Sequence, residues 1–408
     1  MKQQLQKQIK KRSPWLLGVI LISYFVVGFP DGAFTVSWLG ISEEIAGMTT
    51  AHTGIILVAY SVTYTLAGVI LARLVKILKL QMIYFWGLVI MGVGFIALAV
   101  SPSFVLVSLA VAIYGFGTGL MASSMNSYMA KHYDARANNL MHCFWGAGAA
   151  LSPKIMGQVM AILSWRAGYF VITGILVVVG IILLISMSRK IWLDENSLNE
   201  KSIATKEKVV IKTKYLSQRW HQYLEILTFF FLGGTDYTLV FFTGAALVAR
   251  GHETTESVAI FSAIYYLAMT FGRMFFGWSA KWLKELPITR IGILVAIIGI
   301  AILYFTSNIV GMALTGFGLG PLLPTLVSDT SNRFKPDALS KIVGFELAAF
   351  GAGIAVLFFL TSQMMHFVSY EALFPLGMLF ILLVWICNEI LEVAIKSCRK
   401  TKNTIEEG

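Results

Sequence analysis

Long apolar runs broken by short polar, mostly basic stretches make up nearly the whole chain. A helix rising about 1.5 Å per residue crosses the hydrocarbon of a bilayer in about 20 residues. Twelve segments reach that length, at residues 15–38, 52–75, 80–100, 103–130, 138–163, 167–187, 221–249, 256–280, 288–306, 309–329, 339–363 and 370–394. The first follows a basic head of Lys2, Lys7, Lys10, Lys11 and Arg12. It is too long for a signal peptide and has no small-residue cleavage pattern, so it reads as a retained span. An even number of spans puts both termini on one side. The one long polar insertion, 188–220, is rich in Lys, Glu, Ser and Asn and separates residues 1–187 from residues 221–394, with 395–408 as a tail.

Charge fixes the expected orientation. With the N-terminus inside, 28 of the 32 lysines and arginines fall in the head, the tail and the inner loops, leaving Arg166 and Arg250 outside and Lys154 and Arg273 within spans. That asymmetry obeys the positive-inside rule and places both termini in the cytoplasm. Composition agrees: 57% of residues are hydrophobic and 13% charged, against about 45–50% and about 25% in soluble domains. The net charge of +11 would suit nucleic acid only if the basic residues were interleaved on a folded polar face, and here they lie between apolar runs. No nucleic-acid partner is expected. Cys143, Cys387 and Cys398 lie in or beside apolar segments without metal-ligand spacing. No phosphate loop, metal cluster or nucleophile motif is present, which argues against an enzyme, an ATP-driven pump or a cofactor.

An internal repeat divides the chain. Gly28 and Asp31 recur as Gly233 and Asp236 at an offset of 205; Gly115, Gly117 and Gly119 recur as Gly316, Gly318 and Gly320 at 201; Gly146 and Gly148 recur as Gly351 and Gly353 at 205. Three matches in order at nearly one offset make the two halves parallel copies. The stretch 139–154 concentrates the chemistry: Gly146, Gly148, Ala149 and Ala150 permit close helix approach, and His142 and Lys154 add polar groups.

Parallel six-helix halves joined by a cytoplasmic linker resemble the major facilitator superfamily. Asn139, His142, Gly146, Gly148 and Pro153 in the fifth segment are similar in spacing to a signature of its sugar-type branch, typified by fucose, galactose and glucose proton symporters. The run Gly316 to Thr325, with Pro321 and Pro324, resembles that branch's tenth segment, and Gly115 to Gly119 with Asn126 its fourth. The resemblance implies an all-α membrane protein of 12 transmembrane helices in two pseudo-symmetric halves. Packing and kinking account for most such glycines and prolines, so the pattern points to a family and not to a substrate.

Ionisable groups at membrane depth are costly and usually kept for function. Asp31, Lys154 and Asp236 lie at similar depth, about 15 or 16 residues into outward-running segments. The resemblance places Asp31 and Asp236 across a central cavity and implicates the first-segment acid in coupling. A carboxylate in a partly dry cavity can take up a proton at one gate and release it at the other. Alternatively, Asp31 and Lys154 form a fixed ion pair, or one that breaks on protonation. His142 and Glu346 form a second set: the histidine suits a proton relay, a sugar hydroxyl or simple packing. Arg273, Glu225, Asp329, Glu389 and Glu392 are expected near helix ends, where snorkelling or gate ion pairs account for them. Trp38, Asn126, Trp145, Tyr237 and Tyr265 or Tyr266 suit a hydroxylated ligand, through stacking and hydrogen bonds, although Trp38 also suits an interfacial belt.

Two departures from the family pattern bear on mechanism. Ala122 stands where fucose-type symporters carry a coupling carboxylate, and Ala72 precedes Arg73 where the superfamily usually has aspartate. The first leaves Asp31 and Asp236 to couple; the second removes an expected gate interaction. Lys154, if free in the cavity, would favour an anionic ligand. The expectation is a monomeric secondary transporter of the plasma membrane, moving a sugar or sugar-like solute with protons by alternating access. An exporter of amphipathic compounds or small organic anions is the alternative, and a solute receptor without transport a second.

Overall fold

The computed structural model describes residues 14–406 apart from 46, 134, 190, 193–215, 217–218 and 252–254. The predicted linker 188–220 and the side chain of Asn139 therefore lie largely outside the described residues. The described chain is helical: α1 Pro14–Phe25, α2 Phe29–Glu44, α3 Thr50–Leu74, α4 Leu80–Ala99, α5 Phe104–His132, α6 Ala135–Ile162, α7 Trp165–Ser188, α8 Arg219–Ala249, α9 Thr255–Ser279, α10 Glu285–Thr306, α11 Ile309–Leu319, α12 Leu322–Arg333, α13 Pro336–Phe367 and α14 Leu373–Glu406. Among the described residues, 11 spans are long and apolar enough to cross a membrane, with α1–α2 and α11–α12 each forming one. The remaining predicted segment is α6, whose 28 residues reach about 42 Å at about 1.5 Å per residue. Its polar residues lower its hydropathy without shortening it.

Both breaks within spans have local causes. Pro30 has no amide hydrogen for the carbonyl of Val26, which accepts instead from Phe29 in a tight turn, Val26–Gly28, between α1 and α2. In the tenth span the Gly320–Pro321 step separates α11 from α12.

The two halves repeat each other in their packing as well as in their sequence. A Cβ on Gly148 would fall on the carbonyl oxygen of Phe25, and one on Gly353 on that of Phe230. Likewise Gly28 sits against the carbonyl of Trp145, and Gly233 against that of Phe350. All four pairs keep the offset of 205, so the sequence repeat is a repeated helix crossing in which backbone meets backbone. Within the first half α5 packs on α3 and α4, and α6 on α1 and α2; within the second α8 packs on α13 and α14, and α11 on α9 and α10. Across the halves α3 meets α13 and α6 meets α9.

These cross-contacts seal one end. At the end away from Pro14, the Phe241 ring lies 5.7 Å from Phe34 and 5.1 Å from Phe358. Thr50 and Tyr370 share a hydrogen bond of 2.8 Å, and Gln363 donates to the Ala51 carbonyl at 3.2 Å. The two arginines of the loops at that end are each held: Arg166 pairs with Glu44 at 2.9 Å and Arg250 with Glu371 at 3.4 Å. Trp38 is 4% exposed beside Phe34; it is a packing residue and does not form part of an exposed interfacial belt.

Candidate functional site

Between the halves lies a cavity of about 2090 Å³. Its mouth is at the end where α1 begins, bordered by Pro14, Tyr133, Ala137 and residues 281–285; its floor carries Asp31, Tyr60, Asp236 and Tyr237. Beyond the floor lies a void of about 20 Å³, lined by Phe34, Tyr114 and Phe241 among others. Among the described residues, the cavity opens at its mouth, and Phe34, Phe241 and Phe358 pack together beyond its floor.

Each floor carboxylate has a distinct setting. The turn before α2 places Asp31 in that helix's first turn. Its Oδ1 accepts a long hydrogen bond of 3.4 Å from the Tyr237 hydroxyl, and Trp145 and Asp236 are close enough to act on its charge. No basic side chain pairs with it among the described residues. Asp236, in the middle of uninterrupted α8, accepts from the Tyr265 hydroxyl and interacts electrostatically with Arg273. Tyr265 is fully buried and acts on the cavity through Asp236.

Nearer the mouth, Asn126 donates to the Tyr24 hydroxyl at 3.2 Å, and His142 stands edge-on to Tyr24 at 5.7 Å. Trp145 stands edge-on to Tyr266 at 6.1 Å. Ser61, Tyr64, Thr65 and Ser123 add further hydroxyls to the wall. Of the residues expected from sequence, Asp31, Asn126, His142, Trp145, Asp236 and Tyr237 all line this one cavity.

Trp38, Tyr265 and Tyr266 lie outside its lining, and so do Lys154 and Glu346. Lys154 lines no part of it and forms no pair with Asp31: Gly148, Ser152 and Pro153 face α1 and α2, which turns Leu151, Lys154, Gln158 and Ile162 to the exposed face of α6. A lysine on such a face reaches the headgroups by extending its stem along the helix. Glu346 is also outside the cavity. α13 directs it towards α12, where it is fully buried and accepts from Thr330 at 2.8 Å. It borders a cluster centred on Arg333, which contacts Glu225 at 3.0 Å, Asp329 at 2.7 Å, Glu392 at 3.0 Å and Asn388 at 2.6 Å. Glu225, expected near a helix end in water or a gate, is likewise fully buried there.

Arg273 is a cavity residue that counting along the chain missed. It reads as a residue near a helix end, yet it lines the cavity with its guanidinium carbon 5.2 Å from the Trp145 ring centre. The signal lay in another segment: Pro324 has no N–H to offer the Gly320 carbonyl, and Arg273 Nε donates to that oxygen at 3.0 Å.

A search of curated protein sequences found no match. Solved structures of low identity share the fold. A bacterial homologue of the human lysosomal transporter Spinster, in an inward-facing and unoccupied conformation, superposes with a TM-score of 0.70 at 13% identity, covering 95% of this chain and 98% of its own. A variant of the peptide transporter POT in complex with alafosfalin gives 0.73 at 14%, covering 98% and 99%. A variant of the nucleoside transporter NupG gives 0.71 at 11%, covering 94% and 99%. The family model of the Major Facilitator Superfamily matches residues 20–356, most of the chain, and with an all-helical fold and a cavity between two repeated halves, the protein belongs to the Major Facilitator Superfamily.

Proposed function

We propose that this transporter carries a hydroxylated, sugar-like solute together with protons by alternating access, as a monomer of the plasma membrane with both termini in the cytoplasm. On that orientation the cavity is open to the cytoplasm. The boundaries 1–187, 188–220, 221–394 and 395–408 then describe two moving halves, a linker and a tail. The observation that carries the reading is Asp31: a carboxylate on the cavity floor that accepts a long hydrogen bond from Tyr237, lies near Trp145 and has no cation paired with it among the described residues. Asp31, Asp236 and Arg273 together hold one excess negative charge when all are ionised, and a proton on Asp31 cancels it. A group that costs least when neutral in the sealed state and ionised in the open state is suited to carry a proton between them. The hydroxyls and amide of Tyr24, Ser61, Tyr64, Ser123, Asn126 and Tyr237 match a solute rich in hydroxyls, and Trp145 offers a face for its apolar side.

The size of the cavity favours a second reading, export of an amphipathic compound, because about 2090 Å³ far exceeds one sugar. Purified protein in liposomes separates the readings. On the first, adding a transported sugar outside at zero membrane potential alkalinises the outer medium, and a protonophore abolishes concentrative uptake. Binding without flux would identify a receptor and end the transport reading; flux of amphiphiles with none of any sugar would favour the second.

A further inference from the structure

Arg273 carries no proton in the cycle proposed above, yet it is a permanent cation close enough to Asp236 to act on its charge. The lysines of the cavity wall, Lys281 and Lys284, sit at its mouth. One nitrogen of the guanidinium is committed: Nε donates to the Gly320 carbonyl that Pro324 leaves free. That bond and the Trp145 ring 5.2 Å away fix the plane of the group. Its two terminal nitrogens donate to no group among the described residues, and neither is buried without a partner, so both reach the cavity. Asp236 feels the charge of Arg273 but makes no ion pair with it within 4.0 Å. An oriented fork with two open N–H edges is the geometry that receives a carboxylate in a bidentate manner.

We propose that Arg273 binds a carboxylate of the transported solute, so that the solute is a monoanionic sugar acid. The proposal rests on the hydroxylated-solute reading and narrows it. The hydroxyl-rich wall holds the polyol part and Arg273 the acid. A phosphate dianion fits less well, since no second cation stands beside Arg273 among the described residues. Asp236 is then a competitor for Arg273: ionised, it supplies the counter-charge when the site is empty, and when it is neutral the solute carboxylate takes that place. Tyr24, Asp31, His142, Cys143, Tyr237, Tyr265 and Tyr266 are the other titratable groups facing this set, and none of them supplies a second permanent cation.

Binding to the purified full-length protein tests this with glucuronate and galacturonate, the neutral sugars glucose and galactose, and the corresponding hexose 6-phosphates. At least one uronate should bind at least tenfold tighter than its neutral counterpart. R273Q should remove that preference, and R273K should fail to restore it, because an ammonium cannot make the paired contact. D236N keeps Arg273 and removes the competitor, so it should bind the uronate as tightly as the wild type or tighter; it also serves if R273Q does not fold. Neutral sugar binding as tightly as uronate, R273Q keeping the preference, or weaker uronate binding by D236N would each overturn the carboxylate site while leaving the hydroxylated-solute reading intact. Tighter binding of the phosphate would reassign the site to phosphate and overturn the carboxylate. Binding of none of the six would overturn the site and the hydroxylated-solute reading together.

Discussion

Arg333 is 1% exposed and is surrounded by Glu225, Asp329 and Glu392, with Glu346 acting on the same group of charges. Four acids around one guanidinium form a high-stakes arrangement, because buried charges are tolerated only while paired and hydrogen-bonded. Removing the cation leaves carboxylates with no compensation. R333M, which keeps the bulk of the side chain, is expected to destabilise the protein by about 3–5 kcal/mol, seen as a large fall in thermal stability in detergent. Arg290 and Glu389 make a better-aligned bidentate contact, at 2.7 and 2.6 Å. Their side chains, however, are 42% and 30% exposed, and R290M should cost no more than about 1 kcal/mol. Equal losses from the two substitutions would show that burial does not govern these pairs. The settings of Asp31 and Glu225 differ at the same scale: one faces a cavity and a hydroxyl, the other a guanidinium at 3.0 Å.

At the scale of elements, the crossings of α6 on α1 and of α13 on α8 set how the halves are built. A side chain on Gly148 or Gly353 would collide with a backbone carbonyl that has no rotamer to escape into. G148V and G353V should both sharply reduce the yield of folded, monodisperse protein, whereas G18A and G174A, where a Cβ meets nothing within 4 Å, should match the wild type. Unimpaired folding of G148V would sink the close-crossing account. These helices and their repeat were legible in the sequence because length, hydropathy and small-residue spacing are local properties. Position along a helix follows in the same way from counting residues at a fixed rise. Rotation about the helix axis was not legible. Lys154 and Glu346 lie at plausible positions along their helices, yet neighbouring helices turn one outward and the other into the Arg333 cluster. Arg273 was missed because its partner, the Gly320 carbonyl, exists only where α11 breaks beside Pro321 and Pro324 and lies against α9. The break at Val26–Gly28, which gives Asp31 its place at the start of α2, likewise follows from a single proline that hydropathy does not register.

For the molecule as a whole, the seal made by Phe34, Phe241, Phe358 and the Thr50–Tyr370 bond closes one end while the other stands open. A carrier must exchange this arrangement for its mirror, and the cost of moving net charge through the sealed intermediate decides which cargo can make the passage. On the proposed function, Asp31 carries the proton that balances this charge. D31N fixes the floor in its neutral form without changing its shape. Reconstituted in liposomes, the mutant should therefore exchange labelled solute for unlabelled solute at an appreciable fraction of the wild-type rate, while a proton gradient that drives accumulation by the wild type should drive none. Gradient-driven accumulation by D31N at the wild-type level would contradict the account and remove Asp31 from the coupling mechanism.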